Sequence, residues 1–191
     1  MVKPKDDEKE RAIAEATFRL VAESGLAALK MSDIARAAGI ATATLYVYHP
    51  SKDELLTKLY EQAKTATATR LMQAYDPKAP LRARARAVWL AMLHNRLTHF
   101  AEASFQEQFA ASPWFREPSQ RVVASTMKAL AEALEEGRRD ELLKNVPVAL
   151  LAASFIASVR EAARLIRAGE LADDEASRVA AFSMCWDALK A

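Results

Sequence analysis

Apolar positions recur at helical spacing along most of this chain. Ile13, Ala16, Thr17, Leu20 and Val21 fall at i, i+3, i+4, i+7 and i+8, the inner stripe of an amphipathic helix over about residues 7–24. Gly25 closes that helix, and Leu26 and Leu29 turn the chain back onto its core face. Ile34, Ala35 and Ala38 then share one face of a short second helix. Gly39 follows as a residue free to take positive φ, and Ile40 as an apolar plug. Residues 42–48 suit a third short helix with Leu45 as its single inward position, and Pro50 stops it. Two short helices joined by a Gly-containing turn make a helix-turn-helix, whose second helix enters the DNA major groove.

Downstream the pattern lengthens. Ser51 and Glu54 stand in capping-box spacing, the strongest local helix-start signal in the chain. Leu55, Leu56, Leu59, Tyr60, Ala63 and Ala66 carry the helix on to about residue 75, long enough for a rod from head to body. The sequence Asp76-Pro77-Lys78-Ala79-Pro80 breaks it. A second long helix over 81–100 carries Leu81, Ala85, Val88, Trp89 and Met92. A segment over 101–111 carries Phe105 and Phe109, and a loop over 112–118 holds Trp114 and Phe115. Another helix over 119–137 follows, with Val122, Val123, Met127, Leu130 and Leu134. The last two helices span about 147–168 and 172–191. The first of them is apolar over more of its circumference than one packing face requires. The second opens on Asp173, Asp174 and Glu175, favoured by the helix dipole. The prediction is an all-α chain: an N-terminal three-helix helix-turn-helix head over residues 1–55, joined to a C-terminal helical body over residues 56–191. The mixed charges of residues 3–10 read as a frayed, solvated tail, with contact of Lys3 and Lys5 to a minor groove as the alternative.

Composition narrows the class. The chain has 191 residues, 51% of them apolar, with only 4 Gly and 7 Pro, which suits one or two helical domains. A single cysteine, Cys185, excludes an internal disulfide framework and a cysteine zinc cluster, and fits a reducing cytoplasm. No apolar run approaches the ~20 residues of a membrane span. The opening Met1-Val2-Lys3-Pro4-Lys5 lacks the apolar core of a signal peptide. Net charge is +2 overall, while residues 1–55 hold eight basic and nine acidic side chains, a balance of −1. DNA binding therefore has to come from where charge and hydroxyls are placed, not from bulk basicity.

The third helix is the informative one. Thr42, Ala43, Thr44, Tyr46, Val47 and Tyr48 surround Leu45. Small residues at its start allow close approach to a groove, and Thr and Tyr hydroxyls suit phosphates and base edges. Taken alone, Tyr46 and Tyr48 read as ordinary partly buried aromatics. Their place in a hydroxyl-rich helix after a Gly turn favours the binding reading.

These residues carry a resemblance. Gly39-Ile40, Thr44-Leu45-Tyr46, Tyr48 and Pro50-Ser51-Lys52-Asp53-Glu54-Leu55-Leu56, with Ile34-Ala35 and Glu23-Ser24-Gly25 upstream, resemble the signature of TetR/AcrR-type transcriptional regulators. The likeness covers roughly the first third of the chain. It implies an all-helical homodimer with a DNA-binding head and a ligand-binding body that represses until a small molecule binds. Carried over residue by residue, it places phosphate contacts at Tyr46, Tyr48 and Lys52 and base contacts at Thr42, Ala43 and near Ser32, with Thr44 alongside. Three positions depart from the pattern. Ala41 stands where a polar cap is usual, a loss worth about 0.5–2 kcal/mol. Lys30 stands where Ser or Thr often precedes the first motif helix, so either Ser32 caps one turn later or Lys30 reaches a phosphate. His49 replaces an aromatic.

The body has no catalytic constellation. His94 and His99, five positions apart, do not share a helical face, and there is no metal-ligating H-E-x-x-H spacing, Gly-rich phosphate loop or nucleophile elbow. Neither a cofactor nor a metal is expected. The body reads instead as a small-molecule pocket, with Trp89, Met92, His99, Phe105, Phe109, Trp114 and Phe115 as candidate lining. His94, Asn95, Gln106, Gln108, Arg160 and Arg164 are candidate polar groups. An ordinary aromatic core explains the same residues. Resemblance places the dimer contact on the two C-terminal helices, with a buried intrachain hairpin as the alternative.

The resulting expectation is a cytoplasmic, dimeric, DNA-binding repressor, not an enzyme, released from a double-stranded operator by a small apolar or amphipathic effector. The alternatives are a small-molecule-binding helical enzyme or carrier without DNA binding, and a protein-interaction adaptor using the exposed apolar helices.

Overall fold

The computed structural model describes residues 4–191, with side chains from Asp6 onward. Among these residues the chain forms nine α-helices. They are α1 (Pro4–Ser24), α2 (Met31–Ala37), α3 (Thr42–Tyr48), α4 (Lys52–Met72), α5 (Leu81–Thr98), α6 (Phe100–Ala110), α7 (Glu117–Arg139), α8 (Val148–Ala168) and α9 (Glu175–Leu189). The only extended pairing described is a single antiparallel bridge between Leu143 and Lys190.

The local signals act where the sequence puts them. Gly25, Gly39 and Gly169 have φ of 83°, 68° and 73°. At Gly39 the amide reaches Arg36 O and that of Ile40 reaches Ala35 O, a Schellman closure of α2 that only a residue without a Cβ adopts cheaply. Ser51 Oγ accepts from the Glu54 amide at 3.2 Å and starts α4. Asp174 accepts from the Ser177 amide at 2.8 Å and starts α9.

The beginning of the chain differs from the frayed tail its charges suggest. Helix α1 already runs from Pro4, a residue favoured in a first turn, with Asp6 and Asp7 on the positive end of the dipole. Two side-chain links anchor it: Tyr48 to Asp6, and Lys58 to Glu10 at 2.8 Å. Lys3 lies outside the described residues, as does the side chain of Lys5.

Packing divides the chain into two compact units. The first runs to Ala66 and resumes over His99–Val123; the second comprises Thr67–Thr98 and Ala124–Ala191. This grouping follows contact and differs from a functional boundary at residue 55, since α6 lies on α1 in the first unit. The core of that unit joins Ile13 and Val21 of α1, Ile34 and Ala35 of α2, Leu45 of α3, Leu55, Leu56, Leu59 and Tyr60 of α4, and Phe105 and Phe109 of α6. Tyr60 and Phe109 stack with centroids 4.6 Å apart, and Phe115 meets Tyr60 edge-on at 5.7 Å.

The second unit packs α5, α8 and α9 together. Its core holds Trp89 and Leu93 of α5, Phe155 and Val159 of α8, and Phe182, Cys185 and Leu189 of α9. The Trp89 indole donates to Ser158 Oγ at 2.9 Å and its ring meets Phe182 edge-on. Gly137 is buried where a Cβ would overlap Leu81 and Leu143, so the close approach of α7 to these side chains depends on glycine.

Candidate DNA-binding face and helical cavity

Helix α3 has one buried residue, Leu45, which locks it against Ile34 and Ala35 of α2. The opposite side is open to solvent. Thr42, Ala43, Tyr46 and Val47, spaced i, i+1, i+4 and i+5, form a single exposed face, with Tyr46 48% and Val47 81% exposed. Val47 is a large apolar side chain left in solvent although Leu45, two positions earlier, is fully buried. It was not among the site residues expected from sequence, because a β-branched apolar residue in a helix carries no signal of contact until its exposure is known. Its type suits a thymine methyl. Thr44 is half-buried. Ala41 leaves α3 without a side-chain cap.

Other expected contacts are placed differently. Helix α2 starts at Met31, so Ser32 lies inside its first turn and exposed, and is not its cap; Lys30 precedes the helix, exposed, and makes no capping bond. Tyr48 is half-buried, and its hydroxyl donates to Asp6 Oδ1 at 2.7 Å, which raises its pKa; Lys9 stands 5.8 Å from its ring centre. Lys52 turns inward. Its ammonium donates to Leu29 O at 2.6 Å, lies 3.5 Å from Leu26 O, and sits 5.1 Å from the Trp114 ring centre. Burial lowers its pKa. Trp114 in turn donates through Nε1 to Asp53 Oδ1 at 2.7 Å. His49 is 3% exposed, and burial followed by the nearby Lys58 charge holds its imidazole below the ordinary value. It fills the place of the aromatic it departs from.

One side chain of α6 braces the head. Gln108 accepts the Leu26 amide at 2.8 Å through Oε1 and donates to Val21 O at 3.2 Å through Nε2, so a single amide spans the turn at Gly25.

The second unit contains a cavity of about 80 Å³. Leu71, Met72 and Tyr75 from α4 and the turn after it, Leu81, Arg84, Ala85, Val88 and Met92 from α5, Met127, Leu130 and Leu134 from α7, and Phe155 from α8 are among its walls. Of the seven residues expected to line a pocket, only Met92 faces this space. Trp89 is fully buried against Phe182 and Ser158 beside it. Phe105, Phe109, Trp114 and Phe115 belong to the first unit's core or its edge, and His99 is exposed at the start of α6. The polar candidates are committed elsewhere: Asn95 accepts from Arg70 at 2.7 Å, Gln106 bonds Glu102, Gln108 braces the turn, and Arg164 pairs with Glu161 and Glu170. His94 and Arg160 are exposed.

Arg84 is the polar group that sequence reasoning passed over. It is 7% exposed, paired through both terminal nitrogens with Glu136 and 3.3 Å from the Tyr75 hydroxyl. An arginine in a basic run reads as solvated until the packing buries it. No group of His, Cys, Asp or Glu among the described residues stands close enough together to hold a metal ion. No helix among them is long and apolar enough to cross a membrane.

A buttressed three-helix head with one solvent-facing helix defines a helix-turn-helix DNA-binding protein. The family model described as bacterial regulatory proteins, tetR family, matches residues 13–59. A crystal structure of a TetR family transcription regulator from Marinobacter aquaeolei VT8 is 28% identical, with a TM-score of 0.92 over 99% of both chains. The transcriptional regulator EthR of Mycolicibacterium smegmatis is 27% identical over 77% of this chain and 70% of its own length. An uncharacterized HTH-type transcriptional regulator of Haemophilus influenzae is 29% identical over 55% of this chain, which spans just over half, 56%, of that relative. Residues 13–59 carry the tetR-family regulatory domain, and over its full length the chain resembles TetR family transcriptional regulators. It is a DNA-binding regulator and not an enzyme. Regulators of this family bind DNA operators and dimerise.

Proposed function

We propose that the chain works in the cytoplasm as a dimeric repressor released from its operator by a small apolar or amphipathic effector. Residues 1–55 form the DNA-binding domain and residues 56–191 the effector and dimerisation domain. The observation that carries this reading is helix α4. One continuous helix, opened by Ser51 and Lys52 beside the head's core, presents Leu71 and Met72 to the cavity.

In the head, Thr42, Ala43 and Val47 read base edges and Tyr46 grips a phosphate, with Lys30, Ser32 and Thr44 at the margin of the interface. Tyr48 and Lys52 hold α3 and α4 in reading position through Asp6 and the Leu29 carbonyl. Dimeric helix-turn-helix proteins need their reading helices about 34–36 Å apart to meet successive major grooves. The cavity is small beside the ~300–1,000 Å³ of drug-sized pockets, so an effector entering it forces the surrounding helices apart. Tilting α4 spoils the spacing, provided that the effector binds the non-operator state more tightly.

The second copy docks on α8 and α9. Their outer faces expose Ala149, Leu150 and Ala153 on one helix and Ala176, Val179, Ala180 and Met184 on the other. Small residues let helices approach closely, and exposed apolar ones reward burial.

The test is a gel-shift titration at fixed salt, with excess competitor, using DNA that flanks the protein's own coding region and then a random-sequence selection. A specific shift is expected. Tyr46→Ala should weaken every sequence alike by about three- to tenfold, the worth of one hydrogen bond, while Thr42→Ala should alter sequence preference. No shift on either DNA set, or wild-type affinity in Tyr46→Ala, refutes the mapping. Unchanged operator affinity at saturating effector refutes the release mechanism.

A further inference from the structure

We infer that the cavity of the second unit takes a neutral, mainly apolar molecule carrying one hydrogen-bond acceptor oxygen, received by the Nε–H of Arg84. The inference rests on the reading of that cavity as the effector site and names the chemistry it selects.

The walls are almost wholly hydrocarbon: Leu71, Leu81, Val88, Met92, Leu130 and Phe155 are typical of them. Arg84 interrupts them. Both of its terminal nitrogens are bound to the Glu136 carboxylate, Nη1 to Oε2 at 3.0 Å and Nη2 to Oε1, and Nη1 also lies 3.3 Å from the Tyr75 hydroxyl. Its third nitrogen, Nε, is buried, and it is the only buried side-chain nitrogen without a hydrogen-bond partner among the described residues. Arginine has no neutral state at physiological pH in which to shed that proton. A donor so placed costs stability unless an acceptor arrives.

The charge of the site is already balanced. Arg84 is matched by Glu136, so a carboxylate or phosphate entering would bring a second, desolvated negative charge beside the first. A cation would face the guanidinium. A pure hydrocarbon fills the walls but leaves Nε without a partner. A ketone, ester or ether oxygen meets the one open requirement and brings no charge. The volume of about 80 Å³ holds several water-sized centres, so a short chain with its oxygen near one end enters with the least displacement of the walls.

The experiment uses the full chain and three probes of matched length: 2-octanone, octanoate and octane. Binding is read by calorimetric titration and by the rise in Tm. The wild type should bind 2-octanone at least about tenfold more tightly than either of the others. The double variant Arg84→Met/Glu136→Gln, which removes both charges together, should bind 2-octanone and octane alike. Circular dichroism checks that it folds, and if it does not, the wild-type series alone decides. Tightest binding of octanoate, equal binding of octane and 2-octanone by the wild type, a folded double variant that keeps the ketone preference, or no binding by any probe overturns the inference. Binding of 2-octanone that leaves operator affinity untouched overturns the effector reading while the ligand chemistry stands.

Discussion

The Tyr48 hydroxyl donates to the Asp6 carboxylate at 2.7 Å, tying the end of the reading helix to the first turns of the chain. The bond places a negative charge beside the face proposed to meet phosphates. Asp6→Asn keeps an acceptor and removes the charge. It should raise affinity for DNA of any sequence by about two- to fivefold at low salt, an effect that fades as salt screens it. Tyr48→Phe should lower Tm slightly and weaken DNA binding, since α3 loses its tie to α1. Titrations of both variants at two salt concentrations check this, and weaker binding by Asp6→Asn would refute the electrostatic account.

Lys52 should act on folding more than on DNA. Its ammonium is held by Leu29 O at 2.6 Å with the Trp114 ring alongside. Lys52→Met should cost about 1–2 kcal/mol, the worth of a charge-assisted bond in a half-exposed place. The slope of DNA affinity against salt should stay as in the wild type. A slope reduced by about one unit would make Lys52 a phosphate contact instead.

Gln108 gives α6 a direct hold on the head. Gln108→Leu deprives the Leu26 amide of its acceptor and the Val21 carbonyl of a donor, at a cost of about 1–3 kcal/mol in urea unfolding. Gln108→Glu keeps an acceptor for Leu26 and should fall between the two. Hydrogen exchange should locate the loss at the Leu26 amide, and unchanged protection there would refute the assignment.

His49 makes the stability of the head depend on pH. Its pKa in the fold lies below its ordinary value, chiefly through burial and then through Lys58. The unfolded chain therefore binds the proton first as pH falls. The His49 contribution is fully present above about pH 6.5 and declines below it, until the folded pKa is passed. His49→Phe, which keeps an aromatic ring in the buried place, should flatten that decline. Urea unfolding between pH 5 and pH 8, roughly the range where histidine titrates, measures it. An equal decline in the variant would assign the effect to other groups.

The helices and the helix-turn-helix were legible in the sequence because their signals are local. Apolar spacing, the left-handed Gly25, Gly39 and Gly169, the Ser51 cap and the Asp174 cap all act within a few residues of where a helix begins or ends, whereas Glu141 takes the same left-handed turn after α7 with no such signal. The resemblance to TetR-type regulators followed from the same short stretch. Which side chains meet is a different matter. Phe105, Phe109, Trp114 and Phe115 carry the composition of a pocket, yet apolarity names no partner, and packing sends them to the head's core. The links from Asp6 to Tyr48, from Asp53 to Trp114 and from Leu26 to Gln108 join residues 42, 61 and 82 positions apart. Burial decided the rest. It turned Lys52 toward the Leu29 carbonyl, closed His49 off from water and left Arg84 Nε without a partner, because the work of a charged or titratable side chain depends on the water left around it.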